Sequence, residues 1–345
     1  MPPSRDPSTP APASEEPGSP HPPTAAASSP STTWSILPSF KTYESGVSLL
    51  ARSCSRRTWS LGTDVIMKES PYDSPSETPF DEQDIVDFLS SNTNIPVNSI
   101  IAEWTDDNAT HFIIKEKLPG ESLQSLWPTM SWEEKGKIAD QVAEMLRELR
   151  KLTSDKMERV KEMPFCDQML FNHLHPHLVG PLENDQQLWA KMVESLKGVI
   201  PAPASRTLGR MMPPCQPYTF THGDLSMGNI IVDKGKVTGI IDWEWSFFAP
   251  VWWEYVKFRA GTPRWIDPEW FELLDERMDQ HPAAVEFYSK FQSLVSKVES
   301  HDPKKIRSGH ALIQELMADD EENLGGSSGS NTAEGGTPIS THSGM

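Results

Sequence analysis

A short polar segment between two apolar runs constrains the fold of this chain most. The sequence FTHGDLSMGNIIVD, residues 220–233, places His222, Asp224 and Asn229 between runs that predict buried strands. Polar groups at such a junction must be solvated, satisfied by one another, or engaged with a ligand. The segment therefore predicts a tight loop of functional or mutually bonded side chains.

The hairpin that follows brings a second carboxylate to the same place. Lys234-Gly235 is a plausible two-residue turn between the strands NIIVD and KVTGIID. In that register Asn229 lies opposite Ile240, and Asp242 points to the same face as Asn229 because side chains alternate with period two. A three-residue turn would break this agreement. With the two-residue turn, Asp224 joins them at one spot.

Two carboxylates and an amide oxygen at one spot suit a hard cation such as Mg²⁺. The same arrangement leaves one carboxylate free to act as a base. In the alternative interpretation, Asp224 and Asn229 only bond the backbone of their own turn. The paired Asp242 favours the functional interpretation.

The spacing of these residues resembles a known family. HGDLSMGN fits the kinase catalytic-loop pattern H-x-D-x-x-x-x-N, and IIDWE stands where protein kinases have D-F-G. The HGD and IDWE forms, with PVWWEY after them, look like the aminoglycoside phosphotransferase and choline kinase family. The resemblance runs from about Arg57 to Phe258. It implies an α+β, bilobal, protein-kinase-like fold, with a small antiparallel β lobe holding one helix and a larger, mainly helical lobe.

The resemblance also implies roles for the loop residues. Asp224 resembles the catalytic aspartate that positions the acceptor hydroxyl and takes its proton. Asn229 and Asp242 resemble the Mg²⁺ ligands that bridge the nucleotide phosphates. His222 resembles a residue that shapes the loop, and we give it no acid–base role. The implied reaction is transfer of a phosphoryl group from ATP, with Mg²⁺, to a hydroxyl of a small molecule.

In the β lobe, the resemblance assigns the nucleotide contacts. Lys68, in VIMK, resembles the lysine that pairs with the α- and β-phosphates. Its partner is expected to be Glu82, with Asp84 as the competing choice. The backbone of the lobe connector is expected to bond adenine, and it comprises Lys115, Glu116 and Lys117.

One departure keeps a second class of function open. Protein kinases cover the phosphates with a glycine-rich loop, whereas this part of the chain, SRRTWSLGTD, has the single Gly62. The antibiotic-kinase family often lacks that loop, so ATP is not excluded. A nucleotide-binding pseudokinase or interaction module without turnover is the alternative.

Composition divides the chain into four parts. Residues 1–40 are rich in Pro, Ser, Thr and Ala and predict a disordered tail, because they lack the apolar surface that offsets ordering entropy. Residues 41–118 read as the N-terminal β lobe, and 119–318 as the helical lobe with the catalytic loop. The acidic, Gly- and Ser-rich residues 319–345 predict a second disordered tail.

Charge and cysteine content limit the partners. The net charge of −18 argues against nucleic acid as a partner and is compatible with a cationic acceptor. No apolar run approaches the roughly 20 residues of a membrane span. Three cysteines without a C-x-x-C pattern indicate a reducing compartment, so we expect a cytoplasmic protein. We expect a monomer.

Aromatic residues are dense after IIDWE and allow two interpretations. Between Trp243 and Trp270 the chain has ten tryptophans, tyrosines and phenylalanines, with acids among them. Such a set can enclose a quaternary ammonium or an aminated sugar. Packing of the helical lobe is the interpretation that we favour.

Overall fold

The computed structural model describes residues 46–52, 56–71, 82–171, 178–198, 200–261, 267–299 and 302–326. The predicted tail 1–40 and the last residues of the predicted tail 319–345, from 327 on, lie outside these ranges. The strands are β1 (Val47–Arg52), β2 (Arg57–Leu61), β3 (Val65–Pro71), β4 (Ile100–Thr105), β5 (Thr110–Glu116), β6 (Glu121–Ser122), β7 (Thr153–Ser154), β8 (Tyr218–Thr221), β9 (Ile230–Asp233), β10 (Lys236–Ile240) and β11 (Phe247–Ala249). The α-helices are α1 (Glu82–Asn92), α2 (Leu123–Leu126), α3 (Trp132–Leu149), α4 (Gln168–Phe171), α5 (Asp185–Met192), α6 (Ala202–Met211), α7 (Trp253–Gly261), α8 (Pro268–Asp275), α9 (Pro282–Glu299) and α10 (Pro303–Gly326).

The N-terminal part forms one antiparallel sheet with a helix beside it. Five strands pair in the order β1-β2-β3-β5-β4. Helix α1 buries Ile85 and Leu89, which repeat at helical spacing. The rest of the described chain is mostly helical, so the predicted α+β architecture with a β part and a helical part is confirmed.

The longest helix of the central region begins where its sequence signature predicts. Ser131 caps α3, and its side chain and that of Glu134 satisfy each other's backbone N–H groups in a capping box. Helix α3 then buries Ile138, Val142 and Leu146 along one face. This face joins the main core, so α3 anchors the elements that carry the catalytic loop.

Two small sheets hold that loop between them. One has the strand order β10-β9-β6 and the other β11-β8-β7. Strand β8 leads into the loop, and β9 leads away from it. All four residues of β8 are buried, which fixes the start of the loop.

The register of the β9–β10 hairpin differs from the prediction by one residue. The two-residue turn is present, because Asp233 pairs with Lys236. A bulge at Thr238 then shifts the pairing by one residue, so that Ile230 lies opposite Ile240. The backbone N–H of Ile241 donates to the carbonyl oxygen of Asn229, so Asn229 does not lie opposite Ile240. A bulge adds one residue to one strand and leaves no signature in a pattern of apolar residues.

The aromatic residues after the loop pack the core. Four of the tryptophans are almost inaccessible to water, namely Trp243, Trp252, Trp253 and Trp270. Among the acids in this segment, Glu254 is buried and Glu269 pairs with Lys135. These four tryptophans are packed inside the core and are therefore not available to enclose a cation.

The predicted start of the C-terminal tail at residue 319 is eight residues too early. Helix α10 continues to Gly326. Asp320 is only 2% exposed and accepts hydrogen bonds from Arg206 and Arg210 of α6. Composition could not show this, because the acids of DDEEN look like those of a solvated tail until α6 supplies their partners.

No helix in the described part of the chain is both long and apolar enough to cross a bilayer.

Candidate active site

The loop of residues 222–229 is held by a buried carboxylate from α7. Glu254 accepts a hydrogen bond from the backbone N–H of His222 at 2.6 Å and lies 3.5 Å from the N–H of Gly223. Gly223 has a φ of 78°, and a Cβ there would lie 2.4 Å from the carbonyl oxygen of Trp245. Only glycine fits this position. Burial raises the pKa of Glu254, and the positive charge of Arg150 opposes that shift.

His222 ties the loop to the strand that follows the hairpin. Its Nδ1 accepts from the backbone N–H of Asp224 at 3.1 Å, and its Nε2 lies 3.0 Å from the carbonyl oxygen of Ile241. Because Nδ1 accepts a hydrogen bond, Nε2 carries the ring proton and donates a hydrogen bond to the carbonyl oxygen of Ile241. Burial lowers the pKa of His222 to about 4, so the ring is neutral near pH 7. It is a structural bridge inside the loop.

Asp224 and Asn229 are in direct contact. The Asn229 amide nitrogen donates to the backbone oxygen of Asp224 at 2.8 Å and to its carboxylate Oδ2 at 3.2 Å. This orientation leaves the Asn229 Oδ1 atom pointing away from Asp224. Asp224 is solvent-exposed in part. Desolvation raises its pKa, and the negative charge of Asp242 raises it further, which makes this carboxylate a better base.

Asp242 lies next to this pair and binds Lys68. The Lys68 Nζ atom is 2.7 Å from the Asp242 Oδ1 atom. Burial alone would raise the pKa of Asp242, but the charge and hydrogen bond of Lys68, together with the charge of Lys115, lower it, so Asp242 is ionised. Asp242 also has left-handed backbone angles, φ 69° and ψ 59°, which turn the chain sharply after β10.

The residues present fit a magnesium ion. Asp242 offers an ionised carboxylate, and the amide orientation of Asn229 leaves its oxygen available as a second ligand. Mg²⁺ binds through one or two protein oxygens and completes its shell with water and phosphate oxygens. Among the described residues no three His, Cys, Asp or Glu side chains form a dedicated metal cage. Asp242 and Asn229 are therefore the residues that would hold such an ion.

The prediction that Glu82 is the ion-pair partner of Lys68 is wrong. Glu82 forms its ion pair with Lys115, inside the β lobe. The competing choice, Asp84, pairs with Lys161. Glu82 is still near enough for its charge to raise the pKa of Lys68. Lys68 and Lys115 lie on the neighbouring strands β3 and β5, so Glu82 is close to both lysines. The sequence alone does not show which of the two lysines Glu82 binds.

The connector residues are placed at the end of β5, and part of their backbone is already bonded. The N–H of Glu116 donates to the carbonyl of Ser99, and that of Lys117 donates to Asp64. Lys115 directs its side chain into the lobe interior. The N–H groups of Glu116 and Lys117 are therefore not donors for adenine in this structure.

Two further charged residues near the loop were not predicted. Lys257 of α7 binds the buried Asp167 at 3.0 Å, and its positive charge opposes the rise in the pKa of Asp224 that desolvation causes. Trp253 donates to the same Asp167 carboxylate. A signal for Glu254 did exist, because it is a lone acid within the apolar run WWEYV. No such signal pointed to Asp167.

A cavity of about 820 Å³ lies on another face of α7. Val256 of α7, Tyr288 of α9 and Lys305 of α10 line it. Val256 is two residues from Glu254, about 200° around the helix, so the cavity and the catalytic loop contact different faces of α7. We therefore do not assign this cavity to the acceptor.

Comparison with known proteins identifies the fold and the family. The model of the phosphotransferase enzyme family, APH, matches residues 46–288. No curated protein sequence matches. One similar solved structure is a thermostable mutant of aminoglycoside phosphotransferase APH(4)-Ia in a ternary complex with ADP and hygromycin B. It has a TM-score of 0.50 and 14% identity, over 83% of this chain and 95% of that one.

Two further solved structures are similar at lower scores. The GDP complex of wild-type aminoglycoside 2'-phosphotransferase-IIIa has a TM-score of 0.46 and 15% identity, over 79% of this chain and 93% of that one. The streptomycin and ATP ternary complex of APH(2")-IIa has a TM-score of 0.45 and 13% identity, over 79% and 92%. The structural likeness concerns the fold, and the family match covers most of the described residues. The chain belongs to the phosphotransferase enzyme family.

Proposed function

We propose that this protein transfers a phosphoryl group from ATP to a hydroxyl of a small molecule. The observation that carries the proposal is the contact of Asp224 with Asn229 beside the Asp242–Lys68 pair. A base, two metal-binding oxygens and a phosphate-binding lysine are the groups that phosphoryl transfer requires at one place.

Asp224 is the residue that we assign to the acceptor. Its partial exposure lets a hydroxyl approach, and its raised pKa strengthens it as a proton acceptor. Asn229 fixes the direction of the carboxylate through the 3.2 Å hydrogen bond. Much of the rate would come from this positioning and from charge neutralisation.

Lys68 and Asp242 hold the nucleotide in this proposal. Lys68 would exchange its contact with Asp242 for phosphate oxygens, and Asp242 and Asn229 would then hold Mg²⁺. The ion would neutralise charge that develops on the phosphates. The exchange replaces one charge-assisted contact of Lys68 with another, so it costs little free energy.

Adenine would lie against the backbone of residues 116–118. The N–H groups of Glu116 and Lys117 are bonded, and Pro119 has none. We therefore assign the adenine donor to the N–H of Leu118.

The absence of a Lys68–Glu82 contact favours a second candidate, a pseudokinase that binds nucleotide without turnover. Active protein kinases need the corresponding lysine–glutamate pair in place, whereas Glu82 binds Lys115 here. A thermal shift with ATP and Mg²⁺ but no transfer to any acceptor would favour this candidate. Ligand at 100-fold its Kd should add about 2.7 kcal/mol of stability in either case.

The test of the enzyme is phosphate transfer from labelled ATP across a panel of acceptors. The negative charge of the chain keeps aminoglycosides and choline-like amines in the panel, next to neutral sugars and protein. Transfer to one small-molecule class supports the proposal. Transfer to none, with folded protein that binds ATP, contradicts it.

A further inference from the structure

Arg56 reaches across to the segment that carries Asp242. Its Nη1 atom lies 2.5 Å from the Oε1 atom of Glu244, which is two residues after Asp242. The two residues are 188 positions apart in the chain. Arg56 directly precedes β2, so the guanidinium extends from the start of the second strand.

Glu244 marks where this guanidinium lies relative to the reacting groups. Glu244 is two residues after Asp242, and Asp242 contacts the Lys68 Nζ atom at 2.7 Å. Glu244 therefore belongs to the segment in which Asp242 meets Lys68. Arg56, in contact with Glu244, is a cation at the same end of the site.

Gly62, the single glycine of SRRTWSLGTD, does not lie beside Arg56. Gly62 has a φ of 71° and sits in the turn between β2 and β3, next to Gly46. It is separated from Arg56 by the whole of β2. The start of β2 therefore carries a long cation, Arg56, whereas Gly62 lies at the other end of the strand.

The Arg56–Glu244 pair is poorly suited to a structural role. The Arg56 side chain is 52% exposed and that of Glu244 is 26% exposed. Ion pairs in such positions contribute little to stability, because water screens them and long side chains lose entropy. An arginine in this state can exchange partners at low cost, and its planar donors match phosphate oxygens well.

We propose that Arg56 binds the terminal phosphates of the nucleotide, and that Glu244 holds Arg56 when no nucleotide is bound. This inference rests on the proposed function, because it places the phosphates beside Lys68. Glu244 and the phosphates then compete for one guanidinium.

The experiment measures nucleotide affinity by calorimetry with Mg²⁺ and needs no acceptor. Arg56→Ala should weaken ATP binding by roughly 10-fold, as expected for a lost charge-assisted hydrogen bond. The loss should shrink from ATP to ADP to AMP and vanish for adenosine. Arg57→Ala is the matched control, because the neighbouring Arg57 pairs with Glu69 across β2 and β3. It should bind ATP as the wild type does.

A double-mutant cycle tests the competition. Glu244→Gln should tighten ATP binding by up to about fivefold, the value of an exposed ion pair. In the Arg56→Ala background the same change should have a smaller effect, since no arginine is left to release.

Several results would overturn the proposal. ATP binding by Arg56→Ala at wild-type strength, or equal losses for ATP and adenosine, would remove the phosphate role. Weaker binding of ATP and Mg²⁺ in Glu244→Gln would show that Glu244 supports the metal and does not compete with it. A wild-type protein that binds no nucleotide would instead contradict the proposed function itself, and the inference with it.

Discussion

Glu82 and Lys115 form an ion pair in the interior of the β lobe, where their side chains are 3% and 1% exposed. Burial lowers the pKa of Lys115, and Glu82 opposes that shift. The pair joins the first residue of α1 to β5, so it fixes the helix to the sheet. It also keeps Glu82 from being the direct partner of Lys68.

Removing one member of this pair should destabilise the protein strongly. Glu82→Gln leaves the Lys115 charge buried without compensation, and we expect a loss of about 3–5 kcal/mol in the free energy of unfolding. Replacing both, as in Glu82→Leu with Lys115→Met, should cost much less. Urea unfolding measures each value. A stable Glu82→Gln variant with weakened ATP binding would show instead that Glu82 serves Lys68.

Lys68 should matter for nucleotide binding more than for folding. Lys68→Ala removes a cation that we assign to the phosphates, worth about 1.5–3 kcal/mol, or roughly 10- to 150-fold in ATP affinity. Calorimetric titration with ATP and Mg²⁺ measures the loss. Lys117→Ala, a change in a side chain to which we assign no phosphate contact, serves as the control. Equal ATP affinities in the two variants would remove Lys68 from the phosphate site.

His222 should make the protein sensitive to acid. Its folded pKa of about 4 lies below the ordinary value of 6.5, so the unfolded chain binds more protons between these values. Stability therefore falls as the pH drops from 6.5 towards 4. At pH 5 the loss should be about 2 kcal/mol. His222→Gln should remove that part of the pH dependence in urea unfolding. An unchanged dependence would assign the acid sensitivity to other groups.

The last turns of helix α10 should contribute to the stability of the folded protein. Asp320 binds Arg206 and Arg210, and their donated hydrogen bonds lower its pKa. A chain that ends at Gly326 should melt at the temperature of the full chain, whereas one that ends at Ala318 should melt lower. Asp320→Asn in the full chain should lower Tm in the same direction. Identical melting of all three variants would contradict a structural role for these residues.

Much of the site could be predicted because its residues are close in sequence. Asp224 and Asn229 belong to one loop, and Asp242 follows after one hairpin, so short-range rules of turns and strands suffice to bring them together. The shift at Thr238 changed the partner of Asn229 without separating Asn229 from the others. The contacts of this loop could therefore be predicted from rules that concern residues close together in the chain.

The contacts that sequence reasoning missed join distant segments. Arg56 meets Glu244, Asp167 meets Lys257, and Glu82 meets Lys115, each through the packing of separate elements. A charged residue has many candidate partners of opposite sign, and only the three-dimensional fold selects one. The same holds for Asp320, whose partners on α6 turn part of a predicted tail into helix.

The proposed role of Asp224 as the base is tested most directly by phosphate transfer in the wild type and in Asp224→Asn. The measurement uses labelled ATP and the acceptor that the panel identifies. The substitution keeps the shape of the side chain and removes its basicity. We predict that transfer falls by roughly 10²-fold or more, while calorimetry shows ATP bound as tightly as in the wild type. Transfer by Asp224→Asn at the wild-type rate would contradict the assignment of Asp224 as the base.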